Sequence, residues 1–167
     1  MTVQGDKIKT ASQLQSSIRR IAYQIYENNL DEKELILIGV APRGSDLALS
    51  FGKALEGFSD LKINYATLTI NKENPIDGVS CDLQLNELEN KSIVIVDDVL
   101  NTGSTLIYAV QYFLQIPVKQ IKTAVIVNRN HKKFPIKADF KGISLSTSTN
   151  EHVSVILDGS KSGIYLR

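Results

Sequence analysis

The chain is too poor in cysteine to be held by disulfides. Cys81 is the single cysteine among 167 residues, so no internal bridge can form, which suits a reducing compartment. Histidine is nearly as scarce. The two present, His131 and His152, sit in no motif that would activate a thiol, which leaves Cys81 a structural residue rather than a nucleophile. No apolar run approaches the ~18 residues that a membrane-spanning helix needs. The opening residues, Met1 to Asp6, contain no apolar core of the signal-peptide kind. These absences set aside disulfide scaffolds, thiol enzymes and membrane spans. They lead to the expectation of a cytoplasmic protein without a membrane partner.

What is present is ordinary in total and uneven in layout. A hydrophobic fraction of 43% and a charged fraction of 22% fit a globular chain, and the length suits one domain over residues 1–167 with a substantial core. The net charge of +1 conceals an acidic middle and a basic end. Residues 61–100 carry three Lys/Arg against seven Asp/Glu, and residues 101–167 carry nine against three. The basic part suits phosphates or RNA, and equally an ordinary solvated surface.

One stretch organises the rest. Ile93-Val94-Ile95-Val96 reads as a strand buried on both faces. Asp97 and Asp98 end it, the small-residue loop Asn101-Thr102-Gly103-Ser104 follows, and a helical pattern begins at Thr105. A strand that passes through such a loop into a helix makes an anion site from successive backbone N–H groups and the positive end of the helix. The neighbouring carboxylates suit sugar hydroxyls or a divalent cation.

The same unit occurs earlier. Glu34 to Val40 is a buried strand, Ala41-Pro42-Arg43-Gly44 a turn with a permanent positive charge, and Ser45 to Glu56 a helix with Leu47, Ala48, Phe51 and Leu55 inward. Before it, Leu14, Ile18, Ile21, Ala22, Ile25 and Tyr26 predict a helix over 12–29 with Ser12 as N-cap. Leu61 to Ile70 reads as a strand, antiparallel or at an edge, and Asn71 to Gly78 as a loop or hairpin tip. Ile121 to Val127 is a further buried strand, followed by the basic loop 128–135. Short strands are predicted at 138–145, 152–157 and 164–166. Alternating strands and helices indicate an α/β, doubly wound, mostly parallel central sheet with its ligand beyond the carboxyl ends of the strands.

Val96-Asp97-Asp98-Val99-Leu100-Asn101-Thr102-Gly103-Ser104-Thr105 resembles the phosphoribosyl-pyrophosphate (PRPP) motif of type I phosphoribosyltransferases. The run from Asn128-Arg129-Asn130-His131 to Lys141-Gly142 is similar to the corresponding segment of PyrR-type proteins, pyrimidine-operon attenuators with uracil phosphoribosyltransferase activity. Arg20-Ile21-Ala22, Pro42-Arg43-Gly44 and Ser144 to Leu157 fit the same family, so the resemblance runs from about residue 12 to 166.

The resemblance implies a small hood beside the central sheet and a set of roles. Asp97 and Asp98 hold the ribose hydroxyls, directly or through Mg²⁺, and with Arg43 form the catalytic group. Val99, Leu100 and Asn101 belong to the PRPP or nucleotide site. Thr102, Gly103, Ser104 and Thr105 cradle the 5-phosphate. Arg43 and Gly44 bind pyrophosphate, with a cis peptide bond between Pro42 and Arg43. Arg129 and His131 contribute to the hood over the base. Asn101 stands where purine-using members carry an Asp, and an amide is no general base, so a purine is disfavoured. The implied activity joins PRPP to a nucleobase, uracil above others, with release of pyrophosphate and a part in pyrimidine-operon regulation. The short turn at 71–78, where the family has a longer loop, keeps a second reading open: a PRPP- or nucleotide-sensing regulator with little turnover. Arg19, Arg20, Lys132, Lys133, Lys137 and Lys141 suit contact with RNA, and equally an ordinary solvated surface. A homodimer or homotetramer is expected.

Overall fold

The structure is a computed structural model that describes residues 5–167. Met1–Gln4, where the stretch read for a leader begins, lie outside the described residues, as do these first positions of the 1–167 domain.

Six strands form the central sheet in the order β4 (Val79–Cys81), β3 (Lys62–Ile70), β2 (Glu34–Val40), β5 (Ser92–Leu100), β6 (Gln120–Arg129) and β7 (Phe140–Leu145). All neighbours are parallel except β3 and β4. The doubly wound class predicted from the alternating pattern is therefore the observed one. Helices α1 (Ala11–Glu27) and α2 (Arg43–Phe58) cover one face and α3 (Ser104–Phe113) the other. Covering both faces explains the unbroken aliphatic runs. Leu35, Leu37, Val94 and Val96 face α1 and α2, whereas Ile36, Ile38, Ile93 and Ile95 face α3.

A second, antiparallel sheet of three strands forms the hood, in the order β1 (Asp6–Lys9), β9 (Gly163–Leu166) and β8 (Val153–Ile156). Its Val153, Val155 and Ile164 enter the same apolar cluster as α1. The hood is thereby anchored over one end of the main sheet.

Two local expectations change. The cap of α1 is Thr10, not Ser12. Its hydroxyl accepts from Gln13 N at 3.2 Å and its own N–H donates to Gln13 Oε1 at 2.9 Å, a reciprocal capping box. Strand β3 is parallel to β2 and interior, because α2 carries the chain back over the sheet to the same end. The edge belongs to the three-residue β4, and residues 71–78 are the hairpin tip between them, closed by Asn71 N donating to Gly78 O at 2.8 Å. No helix of the described residues is long and apolar enough to cross a membrane.

Candidate active site

Strand β5 lies between β2 and β6, so its carboxyl end is the centre of the sheet's upper edge. Asp97 and Asp98 sit there, 6% and 9% exposed, among aliphatic neighbours. Asp97 Oδ1 accepts from Asp98 N at 2.9 Å, and Asp98 Oδ1 accepts from Val99 N at 2.9 Å. Arg43 NH1 reaches Asp98 Oδ2 at 3.4 Å from the first turn of α2. Burial, with the adjacent Asp98 charge, raises the proton affinity of Asp97 well above the usual carboxylate range, and Lys72 opposes the rise. The buried acid pair shares its surroundings with two cations, Arg43 and Lys72.

The loop after β5 is built to leave backbone donors free. Gly103 has φ +87°, and a Cβ there would lie 2.6 Å from Ile136 Cγ2. Only glycine fits both constraints. Gly103 is also the N-cap of α3 and supplies no side-chain cap; Thr102 takes up the amide of Ser104, which leaves those of Thr105 and Leu106 for a ligand. Thr102 Oγ1 accepts from Ser104 N at 3.2 Å, and Thr102 O accepts from Lys133 N at 2.8 Å and Phe134 N at 3.1 Å. The basic loop thus props the glycine loop from behind.

These elements enclose a cleft of about 360 Å³, lined by Asp97 to Leu106 together with Arg43, Lys72, Pro75, His152 and Val153. A side lobe of about 280 Å³ adds Val40, Ala41 and Pro42 around the shared Arg43, Lys72, Asp97 and Asp98. The cis peptide bond of this loop is Ala41–Pro42, one residue before the expected Pro42–Arg43 bond. It falls where a tertiary amide makes the cis form accessible. A larger hollow of about 600 Å³ between α1 and α2 has no carboxylate and shares no residue with the cleft.

The cleft gathers Arg43, Asp97, Asp98, Val99, Leu100, Asn101, Thr102, Gly103, Ser104 and Thr105. Three expected residues lie elsewhere. Gly44 is buried beneath the loop, where a Cβ would stand 2.3 Å from Val96 O, and its missing side chain lets α2 touch β5. Arg129, expected over the base, is 7% exposed and held behind Asn101 by four hydrogen bonds. His131 lies against Thr147 Oγ1 at 3.3 Å. The hood residues that do reach the cleft are His152 and Val153, which sequence reading placed only in a strand. Lys72 was also missed, because the 71–78 turn carries no motif of its own. Arg20 donates to the carbonyls of Lys141 and Gly142, so the α1 arginine of the expected basic face also ties that helix to β7.

Among the described residues no group of three or more His, Cys, Asp or Glu could hold a metal ion unaided. The paired acids nevertheless fit a hard divalent cation that takes its other ligands from a phosphorylated substrate and water, the habit of Mg²⁺. Lys72 is exposed and borders both lobes. Lys72→Ala is expected to raise the KM for PRPP by roughly tenfold, about 1.4 kcal/mol, with the melting temperature unmoved. Steady-state kinetics beside thermal melts check this, and an unchanged KM would remove Lys72 from the site.

The profile of the phosphoribosyl transferase domain matches residues 4–158. The chain is 35% identical over 151 residues to the bifunctional protein PyrR of Leuconostoc citreum, with 86% of each chain covered. It is 33% identical over 154 residues to the PyrR of Staphylococcus saprophyticus, with 87% of each covered. Among solved structures it superposes on the hypoxanthine phosphoribosyltransferase of Trypanosoma cruzi with a TM-score of 0.79 at 18% identity, covering 96% of this chain and 95% of that one. A Staphylococcus aureus hypoxanthine phosphoribosyltransferase gives 0.75 at 19% identity, covering 96% and 89%. At that identity the structures speak for the fold, while the profile and the relatives speak for the family. The chain belongs to the type I phosphoribosyltransferases, enzymes that use PRPP, and stands with the PyrR-type proteins among them.

Proposed function

We propose that the chain transfers the phosphoribosyl group of PRPP to uracil, with Mg²⁺ as cofactor, through the cleft at the end of β5. The observation that carries this reading is the gathering around one small space of a buried acid pair, the Arg43 guanidinium and a helix start with no side-chain cap from its N-cap glycine. In this reading the 5-phosphate sits on the Thr102–Thr105 loop and the α3 amides. Asp97 and Asp98 take the ribose hydroxyls and the cation. The pyrophosphate lies in the side lobe beside Arg43 and Lys72.

The bond between C1 and pyrophosphate breaks with its electron pair leaving on the pyrophosphate, and N1 of uracil bonds to C1 and loses its proton to water. Mg²⁺, when bound, supplies positive charge to the departing pyrophosphate. Arg43 adds a second, permanent charge on the same side. The acid pair favours the positive charge that develops on the ribose, and the phosphate loop holds the sugar in line at no later entropic cost. Uracil rather than a purine is supported by Asn101, an amide that cannot take a proton, and by the PyrR relatives.

The test is a panel of bases incubated with PRPP and Mg²⁺, with nucleotide and pyrophosphate followed together. UMP is the expected product. Formation of IMP or GMP in preference to UMP would overturn the choice of base.

A further inference from the structure

Asn101 is where the PRPP motif meets the hood. It is exposed at the cleft, while Arg129 is buried behind it and donates from NH1 to Asn101 Oδ1 at 3.0 Å. The guanidinium is itself held from the segment that leads into β8. Its Nε donates to Thr147 Oγ1 at 3.0 Å, and its NH2 donates to Ser148 O at 3.2 Å and Glu151 O at 2.7 Å. Every partner is an acceptor, and three of the four lie on that one segment.

A guanidinium has donors and no acceptor, so only the oxygen of an amide can face it. Arg129 therefore settles which way round the Asn101 amide stands. The Nδ2 group takes the other end, and among the described residues it has no hydrogen-bond partner. We infer that Asn101 reads the nucleobase by donating from Nδ2 to a ring carbonyl oxygen, and that Arg129 is the positioning residue that holds the amide in that sense.

The inference rests on the uracil reading above and gives it a physical reason. Uracil offers two ring carbonyls, and loss of the N1 proton spreads negative charge onto both oxygens. A donor already aimed at one of them gains strength as the bond to the ribose forms. A base with an N–H in that place meets donor against donor and leaves both unpaired, a mismatch that discriminates strongly.

Asn101→Asp is the informative variant. It keeps the size of the side chain and still accepts from Arg129, but it faces the cleft with an acceptor. Calorimetric affinities for UMP and for ribose 5-phosphate separate the base contact from the sugar-phosphate contacts, beside kcat/KM for uracil. Asn101→Asp is expected to weaken UMP roughly 30–100-fold and to lower kcat/KM for uracil in parallel. Ribose 5-phosphate affinity should fall by a clearly smaller factor, so that the ratio of the two affinities drops. Arg129→Lys should weaken UMP roughly tenfold. In an Asn101→Ala background the lysine should have no further effect on the ratio of the two affinities, a result a merely structural arginine would not produce.

An unchanged ratio in Asn101→Asp overturns the inference, even if uracil is the substrate. So does a wild-type protein that binds UMP no better than ribose 5-phosphate. A wild-type protein that turns over no uracil, yet prefers UMP and loses that preference in Asn101→Asp, sinks the proposed reaction and upholds the inference.

Discussion

Asp97→Asn is expected to lower phosphoribosyl transfer by roughly a hundredfold to a thousandfold while making the ligand-free protein more heat-stable at pH 8. Both effects have one cause. Asp97 is 6% exposed beside a second carboxylate, and burial first, then the Asp98 charge, raises its affinity for a proton in the folded chain. The unfolded chain ionises it from about pH 4 upward. Between that pH and the raised folded value the folded state holds the extra proton, so stability is lost as pH rises through this window. Asparagine carries no such penalty. Its advantage over wild type should be near zero at pH 4 and should grow to its full size by pH 8, at about 2–4 °C of melting temperature per kcal/mol recovered. Melting curves at the two pH values check the sign, and a lower melting temperature for the variant at pH 8 would refute it. In the proposed reaction the same charge serves the sugar and the cation, which gives the cost a use.

Gly44→Ala is the second large effect, and here the sign is the test. In a helix interior alanine is normally worth about 0.5–1 kcal/mol more than glycine. At Gly44 the added methyl would stand 2.3 Å from Val96 O, 3.2 Å from Val96 C and 3.3 Å from Asp97 Cα. All three are backbone atoms of the central strand, which has β2 and β6 on either side and cannot give way. The start of α2 must lift instead and carry Arg43 with it. A loss of about 3 kcal/mol is expected, in the range of overpacked cores, or roughly 6–12 °C of melting temperature for a chain of this size. Activity should fall by about a hundredfold, because displacement of a charged group by ~1 Å has that effect. Thermal melts and kcat/KM for PRPP measure both. A variant as stable as wild type would show that α2 does not lean on β5.

The elements legible in the sequence are those whose surroundings repeat along the chain. Strands β2, β5 and β6 are covered on both faces, so their residues are aliphatic without interruption and could be read directly. The acid pair and the glycine loop were legible because their chemistry is contiguous. What escaped depends on partners remote in sequence. Strand β1 is the four residues Asp6–Lys9, too short for a pattern, and exists by pairing with β9 at the other end of the chain. The direction of β3 is invisible in its own alternation and is set by the helix before it. The α1 cap was displaced because Gln13, a residue with no evident role in the sequence, closes a box with Thr10. Lys72 and His152 reach the cleft only through a hairpin and a hood strand. Arg129 was legible as important, but not as a buried support for Asn101.

The central claim is that the acid pair and the loop after it hold PRPP together with a divalent cation. Titration calorimetry of PRPP, with and without Mg²⁺, on wild type and on the Asp97→Asn/Asp98→Asn double variant tests it most directly. The account predicts Mg²⁺-dependent binding by wild type and none by the double variant, whose fold should survive. Mg²⁺-dependent binding that persists in the double variant would contradict it.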